Sequence, residues 1–277
     1  MKTILVPTDF SEKSINALEY ALEMNKKFHA EIGLFHSYFI PLPATEIPTA
    51  LPDESIIRKA AQKSLNEIKE RCQGQFPDMI FKSTISEGLP EIEILEEEIR
   101  KKCDMLVMGT HGTNTLKKFL IGSNTSVIIE RSTCPVIAVP EHARFKQINK
   151  IVFAANYGVD DYKNVFDLVD FAQHFDSEII LLHVSTGDHE KAFDYNQLNS
   201  FKDQVAKETG YSKISFKLFE DKNIYEGLNL YLDDINADMF TMSMRNRSFF
   251  KRVFQPSLTK KMAYHTHLPI LVFHTDI

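Results

Sequence analysis

The chain has 277 residues, 43% of them hydrophobic and 25% charged, and its net charge of −6 at pH 7 divides evenly between the two halves. That length suits two domains of about 140 residues each, and the evenly spread acidic balance implies no basic face, which makes nucleic acid a poor partner. No apolar run reaches the roughly 18 residues of a membrane span, the first residues read directly as a strand, and Cys72, Cys103 and Cys134 are scattered without metal-type spacing; the expectation is a cytoplasmic chain with no leader, no membrane partner and reduced, buried thiols.

Short apolar runs alternate with amphipathic segments from the start. Strands are expected near 2–8, 30–37, 79–86, 104–109 and 135–139, with helices near 11–28, 53–73, 90–102 and 122–131. Ser11 is a fitting N-cap for the first helix. Tyr38 to Pro52 holds Pro41, Pro43, Pro48 and Pro52 and cannot be a regular helix. The second helix has Ile56, Ile57, Ala60, Ala61, Leu65, Ile68 and Cys72 at helical spacing. Glu96-Glu97-Glu98 on the third helix reads as a solvated charge run. After the fourth strand comes a glycine-bearing run, Met108 to Asn124, with Gly109, Gly112 and the pair Gly122-Ser123. Glycines there allow positive φ and close backbone approach. Free N–H groups at the following helix start suit an anion, phosphate above all. On the residues alone, a phosphate-binding loop and an ordinary strand-to-helix turn both stay open.

The second half repeats the first. Glu31 to His36 matches Glu178 to His183 at an offset of 147 residues, and Asp104 to Val139 runs against Asp238 to Phe273 at an offset of 134. Asp104, Met105, Met108, Lys117, Ser123, Thr125 and Pro135 recur unchanged. Copy-two strands are expected near 149–155, 177–185, 213–219, 238–243 and 269–273. Such alternation argues for parallel sheets covered on both faces. Ligands of these sheets sit at the carboxyl ends of the strands, near the switch in strand order. Asp9, Ser37 and the glycine run fall at such ends. Copy two differs there: Ser243 stands for Gly109, Asn246 for Gly112, Pro256 for Gly122 and Asn156 for Asp9. Pro256 removes an N–H where a phosphate needs one. Copy two is therefore expected to keep the fold and lose the site. Arg245, Arg247, Lys251 and Arg252 make its loop basic: a solvated loop, or a site for another anion. His36 and His183 read as core histidines, and His265-Thr266-His267 lacks metal-ligand spacing.

The order and spacing of four motifs resemble the universal stress protein family. They are Ile4-Leu5-Val6-Pro7-Thr8-Asp9-Phe10-Ser11, Glu31 to His36, Gly-x2-Gly-x9-Gly-Ser at 109–123, and Ser132 to Pro140. Asn124 departs from the hydroxyl residue usual there. The resemblance covers 1–140 and continues more weakly over 149–277. It implies an α/β fold of two Rossmann-like (adenine nucleotide alpha-hydrolase-like) domains, each a five-stranded parallel sheet flanked by helices. Their expected bounds are 1–140, a linker at 141–149, and 150–277. It implies ATP or another adenine nucleotide in the first domain, with Mg²⁺ as counter-ion to its phosphates. Asp9 would contact the adenine or ribose side, walled by Pro7 and Thr8, although capping of the next helix is the alternative. Ser37 would line the base pocket with its backbone, and Met108 would pack on the nucleoside. Gly109, Gly112, Gly122, Ser123 and Asn124 would surround ribose and phosphates, with His111 inside the turn and Lys117 and Lys118 nearby. The two apolar last strands would pair within the chain, with a homodimer left open. No P-loop, nucleophile elbow or acid–base pair stands out. Stress-linked nucleotide binding is thus expected ahead of a slow ATPase or ATP-using transferase, and ahead of a nucleotide-free scaffold.

Overall fold

The structure is a computed structural model that describes residues 1–39, 53–110, 123–155, 159–185, 195–244 and 268–274. Lobe one contains β1 (Thr3–Pro7), α1 (Glu12–Asn25), β2 (Glu31–Tyr38), α2 (Glu54–Gln75), β3 (Phe81–Glu87), α3 (Pro90–Lys101), β4 (Met105–Gly109), α4 (Ser123–Arg131) and β5 (Val136–Val139). Lobe two contains β6 (Lys150–Ala154), α5 (Val159–Gln173), β7 (Glu178–Ser185), α6 (Tyr195–Thr209), β8 (Ile214–Glu220), α7 (Ile224–Asp234), β9 (Met239–Ser243) and β10 (Ile270–Phe273). The strands in each lobe are parallel to their neighbours. They do not stay as two sheets. Antiparallel pairing of β5 with β10 fuses them in the order β3-β2-β1-β4-β5-β10-β9-β6-β7-β8.

Burial on both faces explains why the strands read as continuous apolar runs. Ile4, Val6, Val107 and Ile137 face the core beneath α1 and α2. Leu5, Leu106, Met108, Val136 and Ala138 face the core beneath α3 and α4. The start of the first strand in each lobe is clamped the same way. Asp104 Oδ2 accepts from the N–H groups of Lys2 (2.6 Å) and Thr3 (2.8 Å). Its counterpart Asp238 accepts from Asn149 (2.8 Å) and Lys150 (3.0 Å).

At the seam, Leu271 lies opposite Ile137, flanked by Ile270 opposite Ala138 and Val272 opposite Val136. Ile137 thus meets its own counterpart in the repeat, so a pseudo-twofold axis passes between these two side chains. One hydrophobic core runs across the seam on this face. Phe28, just beyond α1, packs on Phe171 of α5 (5.5 Å between ring centroids), on His174 (4.5 Å) and on Phe175 (5.6 Å). The connector 141–149 is packed as well: Ala143 and Ile148 are buried, and Lys146 pairs with Asp238 at 2.9 Å.

The glutamate run is a correction. Glu97 and Glu98 are buried, not solvated. Glu98, 2% exposed, accepts through Oε1 from Thr133 N–H and hydroxyl (2.7 Å each) and from Cys134 N–H (3.0 Å). It holds the turn between α4 and β5. Glu97 pairs with Arg100.

His274, just after β10, crosses the seam and donates from Nε2 to the Ile129 carbonyl of α4 at 2.7 Å. Burial lowers its pKa from the ordinary 6.5, opposed by the Ile129 carbonyl, by Glu98 of α3 and by the Cys134 backbone. The folded chain therefore binds this proton less readily than the unfolded chain does, and His274 contributes stability above about pH 6.5 that is lost as pH falls. The acid-side loss in urea midpoint between pH 7.5 and 5.5 should shrink in His274→Gln. An unchanged loss would remove His274 from the acid response.

Candidate functional site

In lobe one, β1 lies between β2 and β4, and the winding of the chain reverses at β1 and β4. Of the residues expected from the sequence, Pro7 ends β1 and Thr8 and Asp9 follow it, while Met108 and Gly109 end the adjacent β4. The ladders continue one residue further, with Thr8 N–H donating to the Phe35 carbonyl (2.8 Å) and Thr110 N–H to the Val139 carbonyl (3.0 Å). Thr8 is buried. Its hydroxyl lies 2.9 Å from the Ser14 hydroxyl and accepts from Phe10 N–H at 3.0 Å. Asp9 is exposed at the mouth. Its Oδ1 accepts from Ser11 N–H (3.1 Å) and from the Ser11 hydroxyl (2.5 Å). Ser11 is the N-cap of α1, as expected, and accepts from Ser14 N–H at 3.2 Å. Asp9 therefore holds the capping residue.

Phe10 sits at φ 65°, a left-handed conformation that is unusual for a bulky side chain. Its ring packs on His36, with centroids 4.2 Å apart. His36 Nδ1 donates to the Thr8 carbonyl at 2.8 Å. Burial lowers the His36 pKa, partly offset by that carbonyl and by Asp9. His183 repeats the contact in lobe two, with Nδ1 3.0 Å from the Ala155 carbonyl. Both histidines clip the end of their lobe's second strand to the end of its first.

On the other wall, Thr125 in the first turn of α4 donates its hydroxyl to the Gly109 carbonyl at 2.9 Å. This bond fixes the helix start over the end of β4. Ser123 and Asn124 are exposed there, and Ser123 Oγ donates to Asn124 Oδ1 at 3.3 Å. Helix N-termini present unpaired N–H groups and partial positive charge, which suits an anion. Met108 is buried in the core beneath α3 and α4. Ser37 is half-buried inside β2, opposite Ser86. His111, Gly112 and Gly122, with Lys117 and Lys118, lie outside the described residues. Thr125 and Ser14 were not anticipated as site residues; the recurrence of Thr125 as Thr259 was the available signal for the first.

Lobe two differs at the corresponding place. Ser243 ends β9 where Gly109 ends β4. Its Oγ accepts from Nδ2 of Asn164 on α5 at 2.8 Å, and both residues are buried. Asn164 stands where α1 has Ala17. The seam between helix and strand end is therefore filled by a hydrogen-bonded polar pair. The basic residues Arg245, Arg247, Lys251 and Arg252, with Asn156, Asn246 and Pro256, lie outside the described residues.

Among the described residues, no group of three or more His, Cys, Asp or Glu is placed to hold a metal ion, and no helix is long and apolar enough to cross a membrane. Cys72, Cys103 and Cys134 are free and buried. Burial, then the Glu98 charge, pushes the Cys103 thiol up to about 12, which disfavours a reactive thiolate.

A family model described as the universal stress protein family matches residues 1–140. Two universal stress proteins of Methanocaldococcus jannaschii are similar to the chain. One is 33% identical over 142 residues, spanning 50% of this chain and 81% of the relative. The other is 30% identical over 152 residues, spanning 50% of this chain and 94% of the relative. The crystal structure of a universal stress protein from Archaeoglobus fulgidus shares the fold of both lobes. It has a TM-score of 0.72 at 18% identity and covers 98% of each chain. The likeness in fold extends over both lobes, and the family model covers lobe one. The chain belongs to the universal stress protein family.

Proposed function

We propose that lobe one binds an adenine nucleotide, ATP foremost, and that lobe two holds none. The protein is then a nucleotide-dependent regulator in a stress response, not an enzyme built for turnover. One observation supports this reading most: the Asp9 turn and the start of α4, fixed over the end of β4 by Thr125, stand together where the strand order reverses, while in lobe two Ser243 replaces Gly109 and is bonded to Asn164. Asp9 would take a ribose hydroxyl and share its carboxylate with Ser11. Pro7, Thr8 and Ser37 would wall the base. Gly109, Ser123 and Asn124, with Gly112, Gly122 and His111 of the neighbouring loop, would surround the phosphates. Mg²⁺ would accompany the phosphates as counter-ion. The domain bounds on this reading are 1–140 for the binding unit and 150–277 for the degenerate one.

Calorimetric titration should give one ATP site per chain. At free ATP of about 100 times the dissociation constant, the folded state should gain about 2.7 kcal/mol. Two equivalent sites, or none for any adenine nucleotide, would falsify the reading. Phosphate release well above the spontaneous rate would transfer the case to an ATPase.

A further inference from the structure

Helix α1 runs from the strand-end turn at Thr8 and Asp9 to the lobe junction. At its start, Ser11 caps the helix and is itself held by Asp9. The Ser14 hydroxyl, in the first turn, meets Thr8. Slightly further along, Asn16 is 4% exposed and turned to the connector. Its Nδ2 donates to the carbonyls of Pro140 and Ala143, at 3.0 Å each, and its Oδ1 accepts from Arg144. Lys13 pairs with Glu141 at 3.4 Å. Tyr20 packs edge-on against Phe145 of the connector at 5.3 Å. Beyond the helix end, Phe28 enters the aromatic group of lobe two.

No glycine or proline interrupts α1. A continuous helix of this kind moves as a unit, because each turn is hydrogen-bonded to the next. In its counterpart α5, Lys163 stands where α1 has Asn16. The start of the connector is held by α1, and its later residues Lys146 and Gln147 are held by Asp238 and the Phe175 carbonyl of lobe two.

We propose that α1 couples the strand-end turn to the lobe junction, so that a ligand engaging Asp9 resets the α1 cap and tightens the connector on Asn16. The proposal rests on the nucleotide reading above. Coupling of this sort is reciprocal: whatever the ligand does to the junction, the junction does to ligand affinity. A ligand shifts the junction only through its different affinity for the two arrangements. The shared Asp9 carboxylate would supply that difference, since both Ser11 bonds fall on Oδ1 and a ribose hydroxyl drawn to the same group changes the charge and orientation they meet.

The experiment compares the full-length wild type with Asn16→Asp and Phe28→Leu. Asn16→Asp keeps the size and the Arg144 contact but turns an acceptor toward two carbonyls. Phe28→Leu loosens the far end of the same route and leaves the connector hook intact. Amide exchange over residues 143–148 is followed with and without saturating ATP, with saturation set by calorimetry on the same samples. Wild type should exchange more slowly there when ATP is bound. In both variants that protection should diminish and ATP affinity should fall by about fivefold or more. A purely structural role would lower the melting temperature and leave ATP affinity alone, and that result overturns the coupling. So does bound ATP with no change over 143–148 in wild type. A wild-type chain that takes up no adenine nucleotide overturns the functional reading itself, and the coupling with it.

Discussion

Leu271→Lys should part the two lobes. Leu271 is fully buried at the centre of the β5–β10 seam, opposite Ile137. Removing a buried leucine costs about 2–5 kcal/mol, and an unpaired ammonium in the same place costs more. That loss rivals the roughly 5–15 kcal/mol that holds a whole domain together. The cheapest relief is to open the seam, since a lysine on an exposed sheet edge is well tolerated. Each lobe keeps four further strands on the far side of the break. The expected result is a larger hydrodynamic radius and new protease cleavage within 141–149, where Ala143 and Ile148 are packed in the native chain. A compact, resistant variant would mean that the aromatic contacts of Phe28 and Tyr20 hold the lobes without the strands.

Gly122→Pro should abolish tight ATP binding while the chain stays folded. Gly122 directly precedes Ser123, the first residue of α4. Proline fits at a helix start and copies Pro256 of lobe two. It also deletes an N–H from the proposed phosphate cradle. Loss of one hydrogen bond to a charged group costs about 1.5–3 kcal/mol, or roughly 10- to 150-fold in affinity. Any steric conflict between the ring and a phosphate adds to that. Calorimetry and a thermal melt on the same sample separate the two effects. Native affinity in a folded variant would place the phosphates elsewhere.

Much of the architecture was legible because burial on both faces leaves its mark in consecutive residues. Ile4-Leu5-Val6 and Met105 to Met108 could hardly be anything but central strands. The apolar echo of Val136 to Val139 in Ile270 to Phe273 pointed to the seam, because such a strand is unsafe at an open edge. What the echo could not convey was continuity: two sheets become one only through the register of Ile137 on Leu271, a contact between residues 134 apart. Glu98 was misread for a related reason. Its neighbours in sequence are charged, while the N–H groups that justify its burial belong to Thr133 and Cys134, across a loop and a helix. Asn16 shows the same limit, since its partners Pro140 and Ala143 lie more than a hundred residues away. At the site, the Asp9 turn and the α4 start were visible as motifs. The Thr125 bond to Gly109 was not, because a hydroxyl in a helix's first turn commonly serves the helix itself.

The meeting of Ile137 with its own repeat has a consequence for how this molecule can change over generations. Two identical chains joined across such an axis suffer every substitution twice, once on each side. A residue that closes one site closes both, and a hook gained by one helix is gained by its mate. Fusion into a single chain removes that obligation. Asn164 and Ser243 can sit in one lobe while Ala17 and Gly109 stand in the other, and Asn16 can grip the connector while its counterpart is a lysine, Lys163. The seam keeps the geometry of a symmetric pair, and the peptide that crosses it lets the halves inherit different tasks.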